Sequence, residues 1–282
     1  NIVNGLTKGN LSNDKLTWET TTSWDLGLNI SFLNNKFELE ADYYDAISKD
    51  FLFNVPLEPH TGFESFRENR GEIKNSGIEI ALTYHEKIGN LEITANANFS
   101  KNKNEVLELG PEGNRIITSG AVSDATYVTY FLYVEDGVFA NQAEVDAVPH
   151  FAGARPGDIR YVDTDGDGDI DSEDRQIVGN YNPDYLLGGS LNLKYKNFDL
   201  GISVNSSQGS EILNLNRRFT ANPSGNFNNY VDSVNRWRSE SDPGNGQVPR
   251  ARSSTGRNTL ISTRYIEDGS FVRIQNIAIG FN

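Results

Sequence analysis

Apolar and polar residues alternate one for one along several stretches of the chain. In residues 23–32, Trp24, Leu26, Leu28, Ile30 and Phe32 fall on one side of an extended backbone, and Ser23, Asp25, Gly27, Asn29 and Ser31 on the other. After the turn-like Leu33-Asn34-Asn35-Lys36, the residues Phe37, Leu39, Ala41 and Tyr43 alternate with Glu38, Glu40, Asp42 and Tyr44. Ile78, Ile80, Leu82 and Tyr84 repeat the pattern, and beyond a Gly89-Asn90 turn so do Leu91, Ile93, Ala95, Ala97 and Phe99. Residues 187–195 and 198–205 flank a turn at Lys196-Asn197, and residues 270–282 carry Ile277, Ile279 and Phe281 on one face. A period of two puts neighbouring side chains in different environments on the two faces of a strand. The pattern therefore predicts seven strands, six of them in three tight hairpins.

The connections set the architecture. The joins at 34–35, 89–90 and 196–197 are about two residues long, whereas the stretches 55–74, 108–184 and 209–264 read as long connections. Short turns at one rim and long loops at the other are the rhythm of an up-and-down membrane barrel. The polar faces carry acids and amides, as a hydrated lumen requires. Aromatic residues (Trp24, Phe32, Tyr43, Tyr84, Phe99, Tyr195, Phe198) recur near strand ends, where a lipid boundary would place them. The expected fold is all-β: an antiparallel transmembrane β-barrel with long extracellular loops. A soluble sandwich also alternates apolar-in and polar-out. The competing reading is thus a secreted, soluble all-β carbohydrate-binding or adhesion module stabilised by calcium. The two differ on whether Leu26, Leu28, Ile30, Leu191, Leu193 and Ile202 face lipid or a sandwich core. No run approaches the roughly 18 apolar residues of a membrane helix, and no internal repeat or linker divides the chain.

Composition narrows the partners. A net charge of −14 and a pI of about 4.7 argue against nucleic acid, whose phosphates need a basic surface. The absence of cysteine rules out disulfides and thiol chemistry. With no methionine, not even at position 1, the chain reads as an interior piece of a longer protein. His60, His85 and His150 lie far apart with no ligand-spaced companions, and no nucleophile elbow or phosphate loop is present. No catalytic residue is assigned and no enzyme is expected.

The densest chemistry is in residues 163–174, DTDGDGDIDSED, with seven carboxylates in twelve positions. Counting from Asp163, the acids Asp163, Asp165, Asp167, Asp171 and Asp174 occupy positions 1, 3, 5, 9 and 12, with Gly168 at 6 and Ile170 at 8. Asp169, at position 7, would offer its backbone carbonyl. This is close to the calcium loop of EF-hands, in which a hard cation gathers six to eight oxygens and a glycine permits the sharp turn. An aspartate replaces the usual glutamate at position 12. The flanks, rich in proline, glycine and β-branched residues, predict short strands and turns in place of helices. The expectation is a structural Ca2+ in a loop of an all-β protein, held by Asp163, Asp165, Asp167, Asp169, Asp171 and Asp174. Elsewhere in the long connections, Tyr127, Tyr130, Phe131, Tyr133, Phe219, Phe227 and Tyr230 are candidate ligand platforms whose commoner role is packing. Arg217, Arg218, Arg236 and Arg238 form a basic spot that intraloop pairing would equally explain, and Trp237 reads as a loop anchor.

Several ordered segments carry a family resemblance. The run PGDIRYVDTDGDGDIDSEDRQIVGNYNPDYLLGGSLNLKYKNFDLGISV (156–204), the paired-strand stretch 16–57, the GFESFRENRGEIKNSGIEIALTY segment (62–84), YVEDGVFANQAEVDA (133–147) and RYIEDGSFVRIQNIAIGFN (264–282) resemble SusC/RagA-type TonB-dependent outer-membrane transporters. The resemblance implies a bacterial outer-membrane location and a plugged barrel of roughly 22 strands. It also implies a SusD-like surface lipoprotein as lid and energy from TonB acting through a plug. Residues 1–282 would then be part of one barrel domain, with the plug and the final strands outside this chain. The cargo implied is a bulky nutrient, an oligosaccharide or oligopeptide.

Overall fold

The computed structural model describes residues 11–63, 65–108, 129–221, 223, 228–251 and 257–281. Four long strands come first: β1 (Thr20–Phe32), β2 (Phe37–Pro56), β3 (Ser65–Ile88) and β4 (Leu91–Glu108). The following connection holds four short ones, β5 (Thr129–Tyr133), β6 (Glu135–Val138), β7 (Ile159–Tyr161) and β8 (Arg175–Asn180). A hairpin of β9 (Tyr185–Tyr195) and β10 (Phe198–Gln208) comes next, then β11 (Glu211–Leu213), β12 (Ile266–Asp268) and β13 (Phe271–Phe281). The seven long strands form one antiparallel sheet in the order β1-β2-β3-β4-β9-β10-β13, so each pairs with its predecessor along the wall. The short strands pair among themselves, β5 with β8, β6 with β7 and β11 with β12. No helix among the described residues is long and apolar enough to cross a membrane.

The register lines up the alternating residues across the sheet. On one face Leu28, Ala41, Ile80, Phe99 and Leu187 stand side by side on five successive strands. On the other, Glu38, Thr83, Asn96, Ser190 and Ser203 do the same, and the Asn96 amide donates to the Thr83 hydroxyl at 2.9 Å. The tight turn before β2 is made by Asn34 and Asn35 at φ 57° and 62°, the left-handed conformation that hairpin turns need. In β13 the pairing with β10 shifts at Ser203/Val204, where one extra residue, Gln275, is accommodated. That bulge keeps Val272 and Ile274 on the same face as Ile277, Ile279 and Phe281, although the spacing steps by three between positions 274 and 277.

One expectation is corrected. Residues 55–74 are not a long connection: β2 runs to Pro56 and β3 begins at Ser65, leaving only 57–64 between them. The pairs Phe51–Arg70, Leu52–Asn69 and Phe53–Glu68 continue the ladder. Here the backbone stays paired while the side-chain alternation fades, as expected where both faces of a sheet meet water.

The distribution of burial is inverted relative to a soluble domain. The wall's apolar face is open: Leu26 is 69% exposed, Leu28 51% and Ile279 79%. Leu191, Leu193 and Ile202, in the inner strands, are half-buried by their neighbours within the sheet. No second sheet covers this face among the described residues. Among the described residues twelve hydrophobic side chains are buried, of which Ile73 alone belongs to the wall; the others lie between positions 131 and 265, mostly in the long connections. Aromatic residues border the open face at both ends. Phe32, Phe37 and Tyr84 stack in a row at the short-turn rim, with centroids 5.3 and 4.8 Å apart, and Phe198 meets Phe281 at 4.9 Å. Trp24 against Tyr43 (5.2 Å) and Phe99 against Tyr185 (5.9 Å) mark the other end. From Trp24 to Phe32 is nine residues, the length of a membrane-crossing strand.

This geometry makes the two faces of one strand unequal. Leu28→Arg, midway between the borders, should destabilise the full-length protein by about 2–4 kcal/mol in denaturant titrations from lipid vesicles. Asn29→Arg, one position along on the polar face, should change stability far less.

Candidate cation site and the loop body

The acidic dozen sits between β7 and β8, and its backbone curls around Asp163. One Asp163 oxygen accepts from the Gly166 N–H at 2.7 Å and the other from Gly168 at 3.0 Å. Gly166 (φ 80°) and Gly168 (φ 94°) take the left-handed conformation that this curl requires and that glycine adopts without a Cβ penalty. At the far end Asp174, 1% exposed, accepts from the Thr164 N–H and the Asp171 N–H, both at 2.7 Å, and so clips the loop shut. Ile170 points the other way, into a cluster with Phe151, Ile159 and Tyr161.

Closure brings together Asp163, Asp165 and Asp174, each offering an oxygen within 4.8 Å of the others. The remaining predicted residues are placed differently. Asp167 accepts from the Asp169 N–H (2.9 Å) and Asp171 from the Glu173 N–H (2.7 Å), both as local turns, while Asp169 is exposed. At Asp165 a hydrogen bond from the Asp167 backbone pulls the pKa down, but desolvation and the carboxylates of Asp167, Asp174 and Asp163 outweigh it and push it up. All donors are oxygens, and each carboxylate oxygen engaged by one N–H has a lone pair left. An all-oxygen, multiply anionic set on a tight loop fits a hard divalent cation such as Ca2+.

The loop body around this site is held by buried ion pairs that join distant segments. Asp158 receives a two-pronged contact from Arg250 (2.9 and 3.0 Å) and a third bond from the Asn258 amide (3.1 Å). Glu135 is clamped by Arg264 and also meets Ser262. Burial pushes the Glu135 carboxyl upward, and Arg264 draws it part of the way back. Tyr161, whose hydroxyl donates to the Arg257 carbonyl at 2.8 Å, is driven well above the usual phenol range by burial.

The other candidates resolve mostly into packing. Phe131 is buried, Tyr133 joins the rings of Phe151 and Tyr161, and the Tyr130 hydroxyl donates to the Glu211 carbonyl. Phe219 and Tyr230 are exposed; Tyr127 and Phe227 lie outside the described residues. The basic spot is engaged internally: Arg217 with Glu267, Arg218 with the Thr259 carbonyl, Arg236 with the Ser233 carbonyl and Arg238 with Asp242. Trp237 anchors its loop, donating from its indole to the Ala140 carbonyl at 2.9 Å. His85 contacts Thr94, His150 contacts the Val148 carbonyl and His60 is exposed. No spacing or motif marks Glu135, Arg264, Asp158 or Arg250 as partners, because the pairs lie 129 and 92 positions apart.

An up-and-down antiparallel wall with one uncovered apolar face, bordered by aromatic residues and carrying long packed loops at one rim, defines a section of an outer-membrane-type β-barrel. A family model described as "TonB dependent receptor-like, beta-barrel" matches residues 3–215. The chain belongs to that family. It is 34% identical over 99% of its length to TonB-dependent receptor P3 of Formosa agariphila. It is also 27% identical over 96% of its length to TonB-dependent receptor SusC of Bacteroides thetaiotaomicron. A solved structure of the RagAB peptide transporter shares the fold at a TM-score of 0.79, with 23% identity and 98% of this chain covered. The chain spans 29% of P3, 26% of SusC and 30% of the solved chain. These relatives are named as receptors and transporters, and the chain is of the SusC/RagA type that its motifs indicate.

Asp174 closes the acidic loop through its own carboxylate, whatever else binds there. Asp174→Ala should remove the charged acceptor of the Thr164 and Asp171 N–H groups and lower the local opening free energy by about 1–3 kcal/mol. Hydrogen exchange at the Thr164 and Asp171 amides would read this as faster exchange confined to residues 163–174.

Proposed function

We propose that this chain forms part of the wall and outer loops of an outer-membrane importer that takes up a bulky nutrient, an oligosaccharide or oligopeptide. In this reading a SusD-like lipoprotein closes over the long loops and TonB supplies the energy. The observation that carries it is the continuous apolar face, open across the sheet and backed by a polar inner face. Such a wall is stable only between hydrocarbon and water. The loops, with their own cores and ion pairs, are suited to present a fixed vestibule to cargo and lid. The names SusC and RagAB, borne by relatives, support the same assignment.

Cell fractionation of the native producer tests it. The full-length protein should sit in the outer membrane, require detergent for extraction and co-purify with a lipoprotein. Recovery as a detergent-independent soluble protein would exclude the importer and restore the secreted-module reading.

We further propose that Asp163, Asp165 and Asp174 hold a structural Ca2+, with Asp167, Asp171 and the Asp169 carbonyl completing its oxygen shell. The ion offsets the repulsion among these carboxylates and takes part in no chemical step. Stripping divalent ions with EGTA should raise protease cleavage within residues 155–180, and added Ca2+ should reverse it. Asp163→Asn with Asp165→Asn should abolish the Ca2+ response. Cleavage indifferent to Ca2+ in the unaltered protein would refute the site.

A further inference from the structure

On the loop side of the wall the β2–β3 hairpin leaves the sheet as a two-stranded arm. Its neighbours stop at one level: β1 makes its last pair at Thr20–Lys49 and β4 at Glu108–Glu72. The next two residues of the hairpin, Asp50 and Gly71, stand opposite each other without a ladder pair, and both are left-handed, at φ 63° and 88°. Left-handed residues at one level break the pleat of both strands, and pairing resumes at Phe51–Arg70. A Cβ at Gly71 would lie 3.0 Å from the Phe53 ring and 3.2 Å from the Glu108 carbonyl, so this pivot is built for glycine. A two-stranded hairpin alone is only marginally stable in water, and an arm of this kind needs a third contact.

Residues 11–19 supply it. The Glu19 carboxylate accepts from the Leu52 N–H at 3.0 Å, on the edge of β2 that β1 has left. Leu11 bridges to Phe66 on β3, whose other side is taken by β2, so the segment passes from one edge of the arm to the other. Asn69 binds it on the way. Its side-chain oxygen accepts from the Thr17 N–H at 2.7 Å, and its amide donates to the Thr17 carbonyl at 2.8 Å and the Asp50 carbonyl at 2.7 Å. One side chain thus ties the crossing segment to the pivot, and Asn13 adds a bond to the Arg67 carbonyl at 2.9 Å. Apolar burial contributes little, since Leu11 and Leu16 are 42% exposed and Trp18 91%. A segment held by exposed hydrogen bonds and no core belongs to the low-stability end of a fold.

We propose that residues 11–19 are a releasable strap, latched by Asn69, that sets the angle of the arm (residues 51–70) at the Asp50–Gly71 pivot. With the latch engaged the arm is rigid with the wall. With it open the arm swings as a unit and the wall stays intact, because no ladder pair of β1 or β4 reaches past the pivot. The strap rests on these contacts alone; the importer reading adds only that the arm stands at the outer mouth.

The test uses the full-length protein in detergent micelles, with nitroxide labels on Glu58→Cys in the arm and Lys101→Cys on β4 as its only cysteines. The labels are about 40 Å apart at the rise of a strand, within reach of pulsed electron-spin distance measurement. The parent should give one narrow distance distribution, and Asn69→Ala a broad one. Hydrogen exchange at the Thr17 and Leu52 amides should quicken about tenfold in that variant, the scale of one lost net hydrogen bond. Residues 22–32 should keep their rates. Glu19→Ala, outside the wall strands, frees the Leu52 N–H and should broaden the distribution as well. A distribution that stays narrow in Asn69→Ala, or that is already broad in the parent, would overturn the strap. Should Asn69→Ala also loosen residues 22–32, Glu19→Ala decides, and a narrow distribution there would overturn it too. None of these outcomes bears on the importer reading, which the requirement for detergent tests separately.

Discussion

Hydrocarbon offers no hydrogen-bond partner to a peptide group, so a chain that crosses it in extended form must satisfy every N–H and C=O through neighbouring strands. The continuous ladder from β1 to β13 meets that demand, and the remaining features of the wall follow from it. Once the backbone is paired within the sheet, the side chains are free to serve two solvents, apolar on one face and polar on the other. Hairpin turns at one rim keep consecutive strands adjacent without interrupting the ladder. The outer edges of β1 and β13 have no partner among the described residues, so the same constraint requires further strands beside them in a membrane.

The inner face shows how a polar wall avoids filling its own lumen. Five large polar side chains stand directly across from a glycine on the next strand: Asp42 by Gly27, Tyr44 by Gly77, Asn98 by Gly188, Asn192 by Gly201 and Asp199 by Gly280. A Cβ added at Gly27, Gly77, Gly188 or Gly280 would come within 2.6 Å of that neighbour, so the side chain lies flat over the bare backbone. The wall thereby stays hydrated and hydrogen-bonded while its polar groups project little into the channel. Asn102, oriented by Tyr44, belongs to the same inner surface.

What could be read from the sequence divides along these physical lines. Period-two alternation exists only where a strand separates two solvents, and there the strands 23–32, 37–44, 78–85, 91–100 and 187–205 were legible to within a few residues. Beyond the apolar belt both faces are wet, the alternation vanishes, and the extensions of β2 and β3 through residues 45–56 and 65–77 left no trace. The bulge at Gln275 was hidden for a related reason, since a step of three in the apolar pattern mimics a lapse in periodicity. The acidic loop announced itself through spacing alone. Which of its carboxylates converge depends on how the backbone closes, and that is set by Asp174 and the two left-handed glycines. The clamps Asp158–Arg250 and Glu135–Arg264 join residues 92 and 129 positions apart, and contacts of that range leave no periodic signal.

The loops face a problem opposite to that of the wall. They receive no support from lipid and must bury a core of their own, which is why the buried hydrophobic residues concentrate there. Ile170 is the link between that core and the acidic loop. It occupies the eighth position of the acidic dozen, and its side chain packs with Phe151, Ile159 and Tyr161 while the carboxylates on either side turn outward. The cluster is joined in turn to the far segment of the connection between β11 and β12, because Tyr161 bonds the Arg257 carbonyl and the Ile159 N–H bonds Asn258 at 2.9 Å. Asn258 also holds Asp158, which grips Arg250. The acidic turn and the positions of two separate loops are therefore mechanically connected through Ile170, Tyr161 and Asn258. Any force that opens the turn must either pull Ile170 out of its core or carry the clamped segments with it.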